Sequence, residues 1–144
     1  MKRPLHLQDL KAALEAKPLR ADKNEAAYKR DLVAQINAIE GGYARRIEDR
    51  FAVGVLDLFI KYPGHDVVMA EGKIIEGNLF APTERQFEEG LRLAFAGIEP
   101  VLIGWKNGQM YASPWAKQAD YRECFTLDHR SYADILWEYL APSA

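Results

Sequence analysis

The sequence predicts a mixed α/β fold in which one sheet is flanked by helices. Apolar residues recur at helical spacing in several stretches, β-branched apolar runs lie between those stretches, and Gly or Pro pairs mark the changes of period. The 144 residues, 49% of them hydrophobic, can bury the core of one domain and are too few for two ordinary domains. We therefore expect a single domain over residues 1–144, with a core at about residues 24–112 and with an N-terminal helix (1–22) and an aromatic C-terminal segment (113–144) as additions.

Two helices are predicted in the first third of the chain. Three leucines at helical spacing favour a short helix over residues 8–16, which ends before a Lys-Pro step. A longer amphipathic helix follows, because Asn24 can serve as an N-cap, apolar residues repeat up to Ile39, and Gly41-Gly42 can end the helix. This second helix should have about four turns.

Three strands should follow the second helix. Residues 43–47 form the first strand, and two β-branched apolar runs at residues 53–60 and 66–75 form the next two. The segment between those runs contains Pro63-Gly64, which is a turn signal. The two runs are therefore expected to pair as an antiparallel hairpin.

The second half of the chain is predicted to contain a helix, a hairpin and a final helix. A Thr-x-x-Gln pattern opens the first of these helices, and Asn107-Gly108 is typical of a tight hairpin turn. The expected bounds are residues 82–97 for the helix, 100–105 and 109–112 for the two strands, and 134–140 for the final helix.

Composition and charge argue against several classes of protein. With 19 Lys and Arg against 21 Asp and Glu, the chain is not a polybasic nucleic-acid binder, although residues 1–20 carry a local excess of positive charge. Its one cysteine, Cys124, cannot form an intramolecular disulfide, and the N-terminal segment lacks the apolar centre of a signal peptide. We expect a cytoplasmic protein that is not anchored in a membrane.

Two carboxylates lie within the apolar runs that are expected to form the first hairpin. Asp57 is the only charged residue in the run at residues 53–60, and Glu71 and Lys73 interrupt the apolar part of the next run, at residues 67–75. A carboxylate in such surroundings loses hydration, so that it must be paired, hydrogen-bonded or bound to a metal. The sequence thus points to a partner that Asp57 and Glu71 share.

The predicted hairpin brings these groups together. Asp57 and Glu71 are at similar distances from the turn, Glu71 and Lys73 point to the same face, and Gly72 leaves its backbone carbonyl approachable. Neighbouring carboxylates repel each other unless a cation joins them, and all-oxygen ligation favours Mg²⁺ or Mn²⁺ over Zn²⁺. Lys73 can then position or deprotonate an attacking water, or hold a phosphate oxygen.

These residues resemble the motif of the PD-(D/E)xK nuclease superfamily. The segment Gly54-Val55-Leu56-Asp57-Leu58 is followed, 14 positions after Asp57, by Glu71-Gly72-Lys73, and Leu56 stands where the name-giving proline usually lies. Within the superfamily the sequence is most similar to the small stand-alone VRR-NUC type found in phages and bacteria. The likeness covers about residues 24–105 and includes Glu25 at the start of a helix, the Tyr- and Arg-bearing strand at residues 43–47, and the helix that opens with Thr83-Glu84-Arg85-Gln86.

The resemblance implies a restriction-endonuclease-like fold and an Mg²⁺-dependent DNA endonuclease, in which Mn²⁺ would substitute for Mg²⁺. It implies that the metal ligands are Asp57, Glu71, the Gly72 carbonyl and Glu25, the last directly or through water. Lys73 would orient the attacking water, and Gln86 would belong to the catalytic set. The implied substrate is branched DNA such as a Holliday junction, cut by a homodimer because each small domain carries one active site.

Four basic residues are candidates for contacts with DNA phosphates, which require cationic donors along a groove. They are Arg45, Arg46, Arg50 and Lys61. The alternative for these four is an ordinary solvated surface.

Several of the candidate residues also suit purely structural roles. Asp57 and Lys73 could form a buried structural ion pair, Glu25 suits the first turn of any helix, and Gln86 could cap its own helix. The aromatic residues of the C-terminal segment suit core packing, a dimer interface or base stacking. The alternative functions are a non-catalytic DNA-binding module, a less selective nuclease of the same superfamily (a nickase or an exonuclease), and a protein-interaction domain.

Overall fold

The computed structural model of the protein describes residues 24–47, 54–128 and 130–140. The predicted N-terminal helix and Arg50 lie outside the described residues. The helices are α1 (Glu25–Asn37), α2 (Glu84–Phe95) and α3 (Tyr132–Leu140), with a short 3-10 helix at Tyr121–Glu123. The strands are β1 (Tyr43–Arg46), β2 (Leu58–Lys61), β3 (Val68–Ile74), β4 (Leu79–Phe80), β5 (Glu99–Lys106), β6 (Gln109–Pro114) and β7 (Ala119–Asp120).

Five of these strands form the main sheet in the order β1-β2-β3-β5-β6, and β4 pairs with β7 in a separate small sheet. Strands β3 and β5 are parallel, whereas the other neighbours in the main sheet are antiparallel. A parallel pair needs a long crossover, and α2 lies in the connection between β3 and β5. The predicted mixed α/β fold, with a sheet flanked by helices, is confirmed.

The two faces of the main sheet bury separate apolar clusters. Leu32 of α1 and Ile135 of α3 belong to the larger cluster, together with strand residues of one face. Leu102 belongs to the smaller cluster on the other face, and Trp115 packs against it. The indole N–H of Trp115 donates to the Phe87 carbonyl of α2 over 3.0 Å, so α2 covers this second face. The main sheet thus has α1 and α3 on one face and α2 on the other, and α3 contributes to the larger cluster.

The hairpin formed by β2 and β3 has the predicted turn. Its register pairs Leu58 with Ala70 and Ile60 with Val68, which centres the hairpin on Gly64. Gly64 has a φ of 81°, a left-handed conformation that glycine adopts without a steric cost. The Pro-Gly signal thus predicted the correct turn and the correct register.

The strand predicted at residues 53–60 is wrong for residues 54–57, because β2 begins only at Leu58. Gly54 has a φ of 90°, which is incompatible with an extended strand. The backbone at this point lies against the start of α2, where a Cβ on Gly54 would be 2.9 Å from Cβ of Arg85. Asp57 therefore lies in the bend that leads into β2 and not in the middle of a strand.

Across the described residues, no helix combines the length and the apolar character that a bilayer-spanning segment requires.

Candidate active site

Asp57 and Glu71 lie opposite each other at the point where β2 and β3 separate. The last paired residues of the hairpin are Leu58 and Ala70. Asp57 directly precedes Leu58 and Glu71 directly follows Ala70, so they are the next residues on the two sides of the hairpin. The charge of Asp57 contributes to the raised pKa of Glu71, as expected for two neighbouring carboxylates. The structure thus brings together the two acidic residues that the sequence singled out.

The separation of the two strands exposes the edge of β3 to Asp57. Strand β3 pairs with β5 as far as Ile74, whereas its pairing with β2 stops at Ala70. Beyond that point the N–H of Gly72 donates to Oδ1 of Asp57 over 3.4 Å. The N–H and C=O groups of one strand residue point to the same edge, so the Gly72 carbonyl also lies on the side that faces Asp57.

Glu71 is a buried carboxylate with incomplete pairing. Only 1% of the residue is exposed, and its Oε2 lies 3.3 Å from Nζ of Lys73. Its other oxygen, Oε1, is buried and has no hydrogen-bond partner among the described residues. Burial and the neighbouring Asp57 raise the pKa of Glu71 to about 7, against the opposing effect of Lys73. A buried acceptor without a donor is costly, and a cation would relieve that cost.

Lys29 of α1 also belongs to this site, although it is not among the residues predicted from the sequence. The residue is only 3% exposed, and its Nζ lies 2.7 Å from Oε2 of Glu25 and in contact with Oδ2 of Asp57. Burial by itself would lower the pKa of Lys29, but Asp57 and Glu25 more than compensate and raise it. Burial also raises the pKa of Asp57, and Lys29 opposes that effect.

The oxygen atoms of this site can supply some, but not all, of the ligands that a hard divalent cation requires. Two carboxylates lie where β2 and β3 separate, and the Gly72 carbonyl is on the strand edge that faces Asp57. Oxygen ligands of this kind suit Mg²⁺ or Mn²⁺. The unpartnered Oε1 of Glu71 is the observation that favours such an ion. In the part of the chain that the structure describes, no three His, Cys, Asp or Glu side chains are grouped closely enough to hold a metal by themselves. Water or a phosphate oxygen would have to supply the remaining ligands.

A cleft of about 540 Å³ adjoins the site. Glu25 and Lys73 line this cleft together with residues such as Leu79 and Gln118. The side chain of Lys73 is 23% exposed, so its ammonium is accessible from this cleft. A substrate that enters the cleft would therefore meet Lys73 beside Glu71.

Glu25 and Gln86 both have the structural roles that the sequence offered as alternatives to metal ligation and catalysis. Glu25 is in the first turn of α1 and forms an ion pair with Lys29. Gln86 forms a capping box with Thr83: Gln86 N–H donates to Thr83 Oγ1, and Thr83 N–H donates to Gln86 Oε1 over 2.9 Å. The capping role of Gln86 is thus present, while a catalytic role for it, and metal ligation by Glu25, stay predictions.

The predicted DNA-contact residues have different environments. Arg45 is exposed and pairs with Phe59 in the register of β1 and β2, whereas Arg46 is half-buried. The Lys61 ammonium donates to the carbonyls of Tyr62 and His65, so it stabilises the hairpin turn. Arg50 lies outside the described residues. Of the three described residues, Arg45 has the environment best suited to contact with phosphate.

Gly72 is a position where a side chain would not fit. A Cβ there would lie 2.6 Å from the buried ring of Trp105 and 3.1 Å from Cε of Lys29. We expect Gly72→Ala to lower the free energy of unfolding by about 2 kcal/mol, measured by urea denaturation, because the core must shift to accommodate the methyl group. Adding Trp105→Leu should recover part of this loss in a double-mutant cycle, and additive effects of the two changes would contradict the proposed clash.

The raised pKa of Glu71 predicts a pH dependence of stability in EDTA. Between its ordinary value of 4.5 and about 7, the folded chain holds a proton that the unfolded chain has released. The free energy of unfolding should therefore fall as pH rises through this range, by a contribution on the order of 3 kcal/mol. Comparison of the wild type with Glu71→Gln between about pH 5 and pH 8 isolates this contribution. Parallel curves for the two proteins would show that Glu71 titrates normally.

The mixed five-stranded sheet with helices on both faces defines the fold class: the protein has a restriction-endonuclease-like fold. A solved structure similar to it is that of Archaeoglobus fulgidus Hjc, a Holliday junction resolvase from an archaeal hyperthermophile. The match has a TM-score of 0.56 and 14% sequence identity, and it covers 73% of this chain and 93% of the archaeal chain. No family model matches the sequence, and a search among curated protein sequences likewise gives no match. The predicted fold is thus confirmed, and the narrower VRR-NUC assignment stays a prediction.

Proposed function

We propose that this protein is an Mg²⁺-dependent endonuclease that hydrolyses phosphodiester bonds in branched DNA, with four-way junctions as the preferred substrate. The observation that carries the proposal is the placement of Asp57 opposite Glu71, with Oε1 of Glu71 buried and without a partner among the described residues. The similarity of the fold to that of a Holliday junction resolvase supports the choice of substrate.

Asp57, Glu71 and the Gly72 carbonyl are the groups that would hold the cation. When bound there, Mg²⁺ would polarise the scissile phosphate and lower the pKa of a coordinated water. Mn²⁺ suits the same oxygen donors and should replace Mg²⁺.

Lys73 would act on the reacting atoms from the adjacent cleft. Its ammonium is 3.3 Å from Oε2 of Glu71 and its side chain is partly exposed, so that it could donate a hydrogen bond to the attacking water or to a phosphate oxygen. The water oxygen would form a bond to phosphorus while the bond to the leaving sugar oxygen breaks. The proton that the water loses would pass to solvent, and the leaving oxygen would take a proton from solvent. Lys73 would therefore help to orient the attacking water.

Symmetric cutting of a junction requires two sites, and each chain supplies one. We therefore propose a homodimer, in which the exposed Arg45 contacts the DNA backbone. Arg46, Arg50 and Lys61 complete the proposed set of phosphate contacts.

A cleavage assay tests the proposal. A synthetic four-way junction, a linear duplex of the same sequence and a supercoiled plasmid are incubated with the protein in Mg²⁺, in Mn²⁺ and in EDTA. We expect paired cuts in the junction with either cation and no cutting in EDTA. Lys73→Met should lose cleavage and still bind the junction, whereas Lys117→Met, which removes an exposed lysine, should behave as the wild type.

Each contrary outcome of this assay excludes part of the proposal. Equal cutting with and without EDTA would refute the metal-dependent mechanism. Preference for linear duplex or for plasmid would indicate a less selective nuclease, and junction binding without cutting under either cation would indicate a DNA-binding module.

A further inference from the structure

The ammonium of Lys29 is a fixed positive charge inside the acidic site. It contacts Oδ2 of Asp57 and lies 2.7 Å from Oε2 of Glu25, and its side chain is 4% exposed. The ammonium therefore lies between two carboxylates that are predicted from the sequence to be metal ligands.

The side chain of Lys29 is held in this position by the core. Its Cε is close to Gly72, where even a methyl group would be 3.1 Å away. The neighbouring Tyr28 stacks on Trp105 with ring centroids 5.3 Å apart, which fills the space on this side of the sheet. Lys29 thus has little room to leave the two carboxylates when a cation binds.

We propose that the Lys29 ammonium takes the place of a second divalent cation between Glu25 and Asp57, so that each chain binds one divalent cation, at Asp57 and Glu71. This inference rests on the proposed function, because it assumes that the site binds a metal. It assigns Glu25 to the positioning of Lys29 and not to direct metal ligation.

The distribution of charge supports a single cation. Three carboxylates, those of Glu25, Asp57 and Glu71, share the site with the ammonium groups of Lys29 and Lys73. One divalent cation changes the formal charge of this group from −1 to +1, whereas a second would leave three uncompensated positive charges. Uncompensated charge is strongly disfavoured beside groups as buried as Glu71.

The number of Mn²⁺ ions bound per chain tests the inference. Free Mn²⁺ is followed by electron paramagnetic resonance during titration of the DNA-free protein. We expect one bound Mn²⁺ for the wild type and two for Lys29→Met, which keeps an unbranched side chain and removes the charge. Lys117→Met is the matched control and should bind one. Glu25→Gln should also bind one, with an affinity within about threefold of the wild type, which is less than 1 kcal/mol.

Several results would overturn the inference. The first is two bound Mn²⁺ ions on the wild type. The second is one bound Mn²⁺ on a Lys29→Met variant whose circular dichroism shows a folded chain. The third is a tenfold weaker affinity of Glu25→Gln for Mn²⁺. If Lys29→Met does not fold, the wild type and Glu25→Gln still decide the question. Two bound ions with intact cleavage would remove this inference alone, whereas no bound Mn²⁺ and no cleavage would remove the proposed function as well.

Discussion

Replacement of Glu71 by Gln is expected to abolish cleavage and at the same time to stabilise the metal-free protein. Cleavage should fall at least about a hundredfold, because a ligand that would hold the cation is lost. Stability should rise because Glu71 is buried, has an unpartnered Oε1 and has a pKa raised to about 7. At about pH 8 in EDTA we expect a gain of about 2 kcal/mol, or an increase in Tm of about 4–8 °C for a chain of this size.

Glu88→Gln is the matched control for this experiment. Glu88 lies on the exposed side of α2, so its replacement should change neither cleavage nor Tm. Activity is measured on the four-way junction with Mg²⁺, and stability is measured by thermal unfolding in EDTA. A Glu71→Gln variant that is less stable than the wild type would show that the carboxylate serves the fold, and one that still cuts would exclude it as a metal ligand.

Replacement of Asp57 by Asn should abolish cleavage equally but should destabilise the protein. The reason is that Asp57 contacts the buried ammonium of Lys29, which would retain only the more exposed Glu25 as its partner. Removing one member of a buried ion pair leaves the other charge uncompensated, so we expect a loss of roughly 3 kcal/mol. The two carboxylates of the site should therefore have opposite effects on stability.

A double variant identifies the cause of that loss. Asp57→Asn combined with Lys29→Met removes both charges, and it should be more stable than Asp57→Asn alone while remaining inactive. Urea denaturation in EDTA measures the three free energies of unfolding. If Asp57→Asn stabilises the chain as Glu71→Gln does, then Lys29 does not depend on Asp57 for its compensation.

Short-range patterns in the sequence were sufficient to predict the helix and the hairpin that position the carboxylates. Asn24 caps α1 through a hydrogen bond from the Ala27 N–H, and Pro63-Gly64 forms the turn that sets the register of β2 and β3. The register of a hairpin follows from its turn, so the predicted turn was enough to place Asp57 opposite Glu71. The late start of β2 was not predictable, since the left-handed φ of Gly54 accompanies its contact with α2, which is distant in sequence.

Lys29 is a residue of the site that the acidic motif alone does not identify. The residue lies on the same helical stripe as Leu32, Val33 and Ile36, two of which are fully buried. A lysine on the apolar side of an amphipathic helix needs a buried partner, and this pattern was visible in the sequence. Its partner, however, is on a segment 28 residues away, so only the tertiary structure could identify it as Asp57.

The location of the bound cation decides whether Asp57 and Glu71 form a metal site. Fe²⁺ can replace Mg²⁺ at oxygen-rich sites, and with ascorbate and peroxide it generates hydroxyl radicals that cut the polypeptide close to the ion. We expect cuts near residue 57 and within residues 71–73, mapped by mass spectrometry, and we expect excess Mg²⁺ to suppress them. Cuts elsewhere in the chain, or cuts that Mg²⁺ does not suppress, would contradict a divalent-cation site formed by Asp57 and Glu71.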